Sequence, residues 1–492
     1  MSPISSEKLA RVAEHSRRLR DARAERRFRT RFWMLIAVLG AISAVFLVLG
    51  AFQGPKLSSA QVDAARATEQ SGQQLRFFAN QPVDDVAAAQ VTVEPAAEVA
   101  VTVQNELVTV QFLTRLRWNT DYTVRIDGVT SPGRSVPGSM EHRFTTPEGE
   151  LLYLDRGEEL DEVLRAPVVG GGRGEVLYSA PGIQRYALVE GALLVARDTS
   201  AATGPEGEQS PEANVAGVSV LEVVDLASGR SEEIRLPSPV RVESITAEPA
   251  GTTVALVLTS VGGQDASEPF QQSLVTLDLG GAREVQPVQG LDGEGLRVRG
   301  AWYPGSGTAL LAHTIDGVLL QIDQVSGTPP LPLGDYREVF GPSSDGGRLA
   351  ATDDFGGVLL DLASGEEGRV NPSLFEGEIV FAGETRVTAA DLRVQKVAVA
   401  AEDGTFTTLL VADDGGGASR LLARTIDDRG SLGDLALAPN DQYVAVEVTP
   451  VLSEAVSDGR KVAPRPTSIT IAVIDLDSGA VVRTLAGFAP SW

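Results

Sequence analysis

The chain has 492 residues, more than one average domain, so two or more folded units are expected. Its 42 basic against 66 acidic side chains give a formal net charge of −24, which argues against nucleic acid as a partner of the whole molecule. There is no cysteine and only three histidines, His15, His142 and His313. Disulfide frameworks, thiolate metal sites, thiol nucleophiles and a lipidated N-terminal cysteine are thereby excluded, and little remains for histidine catalysis or zinc.

The average charge conceals a split. Residues 1–56 hold 2 Lys and 9 Arg against 4 acids, a net +7, so the other 436 residues carry −31. Inside the basic stretch, Phe32 to Phe52 (FWMLIAVLGAISAVFLVLGAF) runs for 21 residues without a charge. At 1.5 Å per residue such a helix spans roughly 31 Å, about one hydrocarbon core, and predicts a single transmembrane helix over 32–52. The arginine-rich flank then places the basic tail, residues 1–31, in the cytoplasm and everything after Gln53 outside. A cleaved signal peptide is the rival reading, with small residues at Ser58-Ser59-Ala60, but the apolar run is longer than a signal h-region. The tail reads as a topology signal, with recruitment of a cytosolic partner or anionic lipid as the alternative. Arginine outnumbers lysine 38 to 4, which suggests a GC-rich bacterial genome.

Residues 53–74 are small, polar and weakly patterned, as a linker would be. From Leu75 short alternating runs follow: LRFFANQPV, AQVTVEP, EVAVTVQN, LVTVQFL, DYTVRIDGV and HRFTT, divided by turn-formers. Strands at this spacing predict a β-sandwich over 75–147. The phrases LRFFANQPVD, VTVEPA, LTRLRWNTDYTVRIDGV and HRFTTP resemble the bacterial Ig-like domain of S-layer and other surface proteins. In this chain the resemblance rests on Tyr122, Thr123 and Val124, then Phe144, Thr145 and Thr146. It implies a spacer or adhesive module without chemistry, with His142 a strand residue.

The remainder is repetitive. An apolar strand closes on Asp before a Gly-containing turn at Asp225, Asp278, Asp323, Asp361, Asp413 and Asp475, with gaps of 53, 45, 38, 52 and 62 residues. A second phrase, a small turn leading into a buried strand, recurs at Pro249, Pro304, Pro342, near Ala382, at Pro439 and at Pro490. Gaps of this size are blade-sized, and four-stranded sheets repeated around an axis make a β-propeller. The phrases resemble the TolB and WD40-like propellers, whose blades carry a Ser-Pro-Asp-Gly-type turn before an apolar strand. Six Asp markers give six blades. The terminal phrase GFAPSW opens a further blade, and 150–181 supplies three strand-like runs with no opening strand of their own. Pairing 486–492 with 150–181 gives a seventh blade and removes exposed sheet edges; six and eight blades are the other counts open to the pattern.

No phosphate loop, H-E-x-x-H, D-x-D-x-D-G calcium loop or G-x-S-x-G elbow is present. His313, in LLAHTIDG, reads as a strand residue. Asp353-Asp354, Asp413-Asp414 and Asp427-Asp428 are the acidic pairs that calcium or a glycosidase would need, but all fall in turns or at strand ends, where solvated aspartates are usual. No catalytic, metal or cofactor-binding residue and no cofactor is assigned.

The expected architecture is therefore all-β: an Ig-like β-sandwich and a seven-bladed propeller (150–492) behind one transmembrane helix. The expected function is a non-enzymatic, single-pass binding or scaffold protein of the bacterial plasma membrane, presenting its propeller outside the cell to a protein or glycan. A carbohydrate-active enzyme using carboxylates at the propeller mouth, or a receptor signalling through the tail, are the alternatives. The partner surface is expected where the blades are longest, at insertions 199–216, 261–271 and 450–467, which emerge on one face.

Overall fold

The computed structural model describes residues 29–45, 54–199, 217–237, 239–249, 251–262, 270–305, 309–376, 378–400, 406–416, 419–425 and 429–492. They form two compact units. One comprises the chain up to Thr114 together with Asp121–Thr145, the other Arg115–Thr120 together with Thr146–Trp492.

Residues 29–45 are helical (α1), and their apolar side chains are exposed, Trp33 by 62%. Among the described residues no helix is long and apolar enough to cross a membrane. Residues 46–52 of the predicted span, and the basic tail up to residue 28, lie outside the described residues.

In the smaller unit seven strands are described: β1 (Leu57–Gln61), β2 (Gln74–Ala79), β3 (Val91–Glu94), β4 (Val99–Gln104), β5 (Leu107–Phe112), β6 (Asp121–Ser131) and β7 (Arg134–Thr145). They make two sheets, ordered β1-β2-β5-β4 and β3-β6-β7. Period-two alternation turns Leu75, Phe77, Val108, Val110 and Phe112 of one sheet and Tyr122, Val124, Ile126 and Met140 of the other into the core. Phe112 and Phe144 meet across it with ring centroids 6.2 Å apart. His142 stands between aromatic neighbours, 6.4 Å from Phe77 and 6.2 Å from Phe144. The stretch expected as a linker is structured: β1 pairs with β2, and α2 (Ala64–Glu69) is N-capped by Asp63, whose side chain accepts from the Arg66 amide. Backbone pairing and a cap need no apolar pattern, which is why these residues looked shapeless in the sequence.

Among its described residues the larger unit contains one two-stranded ribbon, Leu374–Phe375 with Glu378–Ile379, and seven four-stranded antiparallel sheets. Their innermost strands are Ile183–Val189 (blade one), Val240–Ala247 (two), Val298–Trp302 (three), Glu338–Pro342 (four), Phe381–Val387 (five), Ser431–Leu437 (six) and Phe488–Ser491 (seven). In blade seven Phe488–Ser491 pairs with Glu150–Arg156, and the sheet continues outward through Asp161–Pro167 and Glu175–Ala180. The Tyr186 hydroxyl of blade one donates to the Ala489 carbonyl of blade seven at 2.5 Å, joining the first blade to the last.

Each blade is apolar on both faces because it is sandwiched between neighbours, so second strands such as Thr253–Ser260 read as nearly continuous hydrophobic runs. Leu221, Val254 and Leu256 pack between blades one and two. Leu154, Val163, Leu193 and Val195 do the same between seven and one. Near the axis, every innermost strand slips register against its neighbour once, in all seven blades. Such bulges twist and bend a strand locally, which suits seven strands crowded around one axis.

The recurring aspartates are turn-formers. Asp225, Asp278, Asp323, Asp361, Asp413 and Asp475 each accept from a backbone amide two or three residues on, at 2.7 to 3.2 Å. In five of these turns a glycine follows with positive φ, Gly229 (68°), Gly327 (63°), Gly365 (72°), Gly415 (79°) and Gly479 (71°), a conformation that penalises any Cβ.

Candidate functional site

Strand direction alternates within a blade, so the connections between second and third strands, and those between blades, emerge at one end of the ring. We term it the loop face. The turns between first and second and between third and fourth strands emerge at the other end, the turn face.

Of the three long insertions, residues 200–216 and 263–269 lie outside the described residues, whereas 450–467 is described throughout. It is a folded strap held to blade seven. Arg156, at the end of the strand Glu150–Arg156, pairs with Asp458 at 2.6 Å and donates to the Ala463 carbonyl at 2.9 Å. Arg460 of the strap pairs with fully buried Asp161 at 2.7 Å. Arg465 pairs with buried Glu447 at 3.1 Å, and the other Glu447 oxygen accepts from the Ala489 amide. The guanidinium carbons of Arg156 and Arg465 lie 4.9 and 5.1 Å from the centre of the Phe488 ring, a cation–π arrangement. Burial pushes the Asp161 and Glu447 carboxyls above their ordinary range, against the pull of Arg460 and Arg465. Arg185 stands nearby on blade one. It donates to the Glu243 and Gln184 carbonyls and pairs with no carboxylate among the described residues. Burial, then the charge of Arg465, depresses its pKa.

On the turn face the ring carries the segment Arg115–Thr120. Arg115 donates to the carbonyls of Ser344 and Pro439 at 2.7 and 2.6 Å, reaching turns of blades four and six together. The Asn440 side chain donates to the Leu116 carbonyl at 3.2 Å, and the Trp118 amide donates to Gln442 Oε1 at 2.8 Å. The Trp118 indole stacks on Tyr443 and on Trp492, with centroids 6.3 and 5.5 Å away. Arg117 pairs with Asp477, and with Asp475 at 3.6 Å. Asp441 accepts the Ala389 amide on one oxygen while its buried Oδ1 has no hydrogen-bond partner among the described residues, and burial raises its pKa. By sequence these six residues fall within the expected sandwich, inside LTRLRWNTDYTV. One signal was available: in a chain with four tryptophans, an Arg-x-Arg-Trp stretch is a costly choice for a solvated loop.

The other candidates are structural. His313 is 2% exposed, its ring hydrogen-bonds to the Tyr336 carbonyl at 3.0 Å, and burial lowers its pKa. Asp353 pairs with Arg369 and Asp354 with Arg337. Asp413 differs from the other turn aspartates: it is buried and held by Arg393 at 2.7 Å and by Ser373. Asp427-Asp428 lies outside the described residues. Among the described residues no cluster of acids or histidines is placed to hold a metal ion.

No protein-family model and no curated protein matches the chain. Solved structures do. The dihydro-heme d1 dehydrogenase NirN, in complex with DHE, is similar at 16% identity and a TM-score of 0.36, over 70% of this chain and 74% of that one. A prolyl endopeptidase is similar at 12% identity and a TM-score of 0.42, over 76% of this chain and 49% of that one. A TolB protein of Agrobacterium tumefaciens is similar at 15% identity and a TM-score of 0.35, over 55% of this chain and 89% of that one. At these identities the likeness is one of fold. The expectation of a non-enzymatic protein is nonetheless corrected: enzymes stand among the similar structures, so the lack of a familiar catalytic motif excludes no reaction. The Ig-like identity of the smaller unit and the transmembrane anchor find no support among these structures.

Proposed function

We propose that the chain is a protein-binding scaffold of the bacterial cell envelope, anchored by a Phe32–Phe52 helix with its N-terminus in the cytoplasm, in which an Ig-like stalk carries the propeller and the loop face receives the partner. The observation that carries this reading is a group of exposed large apolar side chains in one set of connections, beside Val169 and Val325 exposed on the turn face. Leu160 (48%), Phe355 (88%), Leu452 (52%) and Val456 (65%) all lie in connections between second and third strands, hence on one face. A single exposed apolar residue is ordinary, whereas several at the tips of one set of connections suit a protein partner that desolvates them. Arg185, with no carboxylate partner among the described residues, adds a guanidinium to the same end of the ring.

The anchor rests on the uncharged run and its basic flank, and the stalk on the motifs quoted above together with the two-sheet core. Protease added to spheroplasts tests the topology. Removal of both folded units, leaving a small membrane-bound fragment, is expected. Protection of the units, or release of a soluble chain beginning near Gln61, would refute the anchored arrangement. The loop face is tested by exchanging Phe355 and Leu160 for serine and measuring what copurifies after crosslinking in intact cells; an unchanged partner set would rule that face out.

A further inference from the structure

We propose that the turn face of the propeller is a peptide-binding site for a cationic and aromatic segment of the Arg-x-Arg-Trp kind, and that residues 115–120 are its tethered occupant. The segment belongs with the propeller unit although the residues on either side of it do not. Its last two residues continue the backbone ladder beyond Asp121, the Asn119 amide donating to the Pro147 carbonyl and the Thr120 carbonyl accepting from the Thr146 amide, but none of the six is in a strand. Residues 115–118 are gripped residue by residue, as a ligand is. Arg115 bridges the Ser344 and Pro439 carbonyls. Leu116 is 1% exposed and its carbonyl is taken by Asn440. Arg117 meets Asp475 and Asp477. Trp118 is stacked on Tyr443 and Trp492 and fixed through its amide by Gln442.

The receiving groups define the ligand. Asp345 and Asp441 act on the Arg115 guanidinium, Asp475 and Asp477 on that of Arg117, so four carboxylates face two cations. Buried Asp441 Oδ1, beside them, has no hydrogen-bond partner among the described residues. Tyr443 and Trp492 supply an aromatic platform for one ring. Two arginines, a leucine-sized apolar residue between them and an aromatic residue directly after the second are what this surface recognises, whether the segment comes from this chain or from another protein. A tethered segment competes at an effective concentration on the order of millimolar. A free peptide is therefore excluded until the resident one is weakened or pulled away.

The test uses the full chain carrying Arg115→Ala and Trp118→Ala, and a fluorescent peptide with the sequence of residues 113–121. Saturable binding to the variant is expected, at least about tenfold tighter than to the unaltered chain, whose site is filled. The same peptide with alanine in place of both arginines and the tryptophan should not bind. A variant that melts cooperatively yet shows no binding at millimolar peptide overturns the proposal, as does equal binding of the alanine peptide. If the double variant loses its cooperative melt, Arg115→Lys serves instead: it keeps the charge but loses the fork that bridges two carbonyls. Failure of the peptide to bind that chain any better than the unaltered one overturns the proposal equally.

Discussion

The indole of Trp118 stacks on that of Trp492 with ring centroids 5.5 Å apart and planes inclined by 30°. Tyr443 lies nearly parallel to Trp118, at 11°. Trp118 also joins the core shared by blades six and seven, beside Leu151, Tyr153 and Ile471. Gly149 fits this site because a Cβ there would come within 2.3 Å of the indole. Trp118→Ala should therefore cost about 3–5 kcal/mol in denaturant unfolding of the propeller. A loss below ~1 kcal/mol would show that the ring contributes surface contact only.

The strap 450–467 leads to a different expectation. Removing the Asp458 carboxylate leaves the Arg156 guanidinium, 7% exposed, without its ion-pair partner. Asp458→Ala should destabilise the propeller by roughly 3 kcal/mol, and limited proteolysis should then cut within 450–467. A variant with an unaltered melting curve would indicate a strap that is not held by this pair.

Asp161 gives a pH signature with a definite sign. Its folded pKa is raised, chiefly by burial, so the folded state holds the proton more tightly than the unfolded chain does. The associated stabilisation is present at low pH and is lost as pH rises from about 4 through the folded value. Asp161→Asn removes that dependence. The melting temperature of the variant relative to the unaltered protein should climb as pH rises through this window, and a difference that stays flat or falls would contradict the assignment.

Asp353 should behave in the opposite way. Its hydrogen bond to Arg369 holds the carboxyl down at about 2. Carbon-13 NMR of the carboxyl should show the midpoint moving up toward the ordinary aspartate range in Arg369→Ala; an unmoved midpoint would assign the shift to the Phe355 and Gly356 amides instead.

What could be read beforehand was what is local in sequence. An aspartate that caps its own turn and a glycine with positive φ two to four residues later act within five positions, so the blade markers at Asp225, Asp361 and Asp475 stood out. The strap did not. In the sequence it shows only as a long insertion between strands, yet Asp458 and Arg460 find Arg156 and Asp161 about 300 residues earlier in the chain. The same holds for Arg115, whose acceptors sit in turns 229 and 324 residues away. Asp413 carried the blade marker and still departed from it, because Arg393 and Ser373 bury it through contacts that no turn pattern encodes.

The claim that the loop face receives a protein is tested most directly by a photoreactive amino acid placed in living cells at Phe355, 88% exposed on that face, and in parallel at Val325, 77% exposed on the turn face. The account predicts a discrete protein adduct from position 355 and none from position 325. Adducts of equal yield from both positions, or none from position 355, would contradict it.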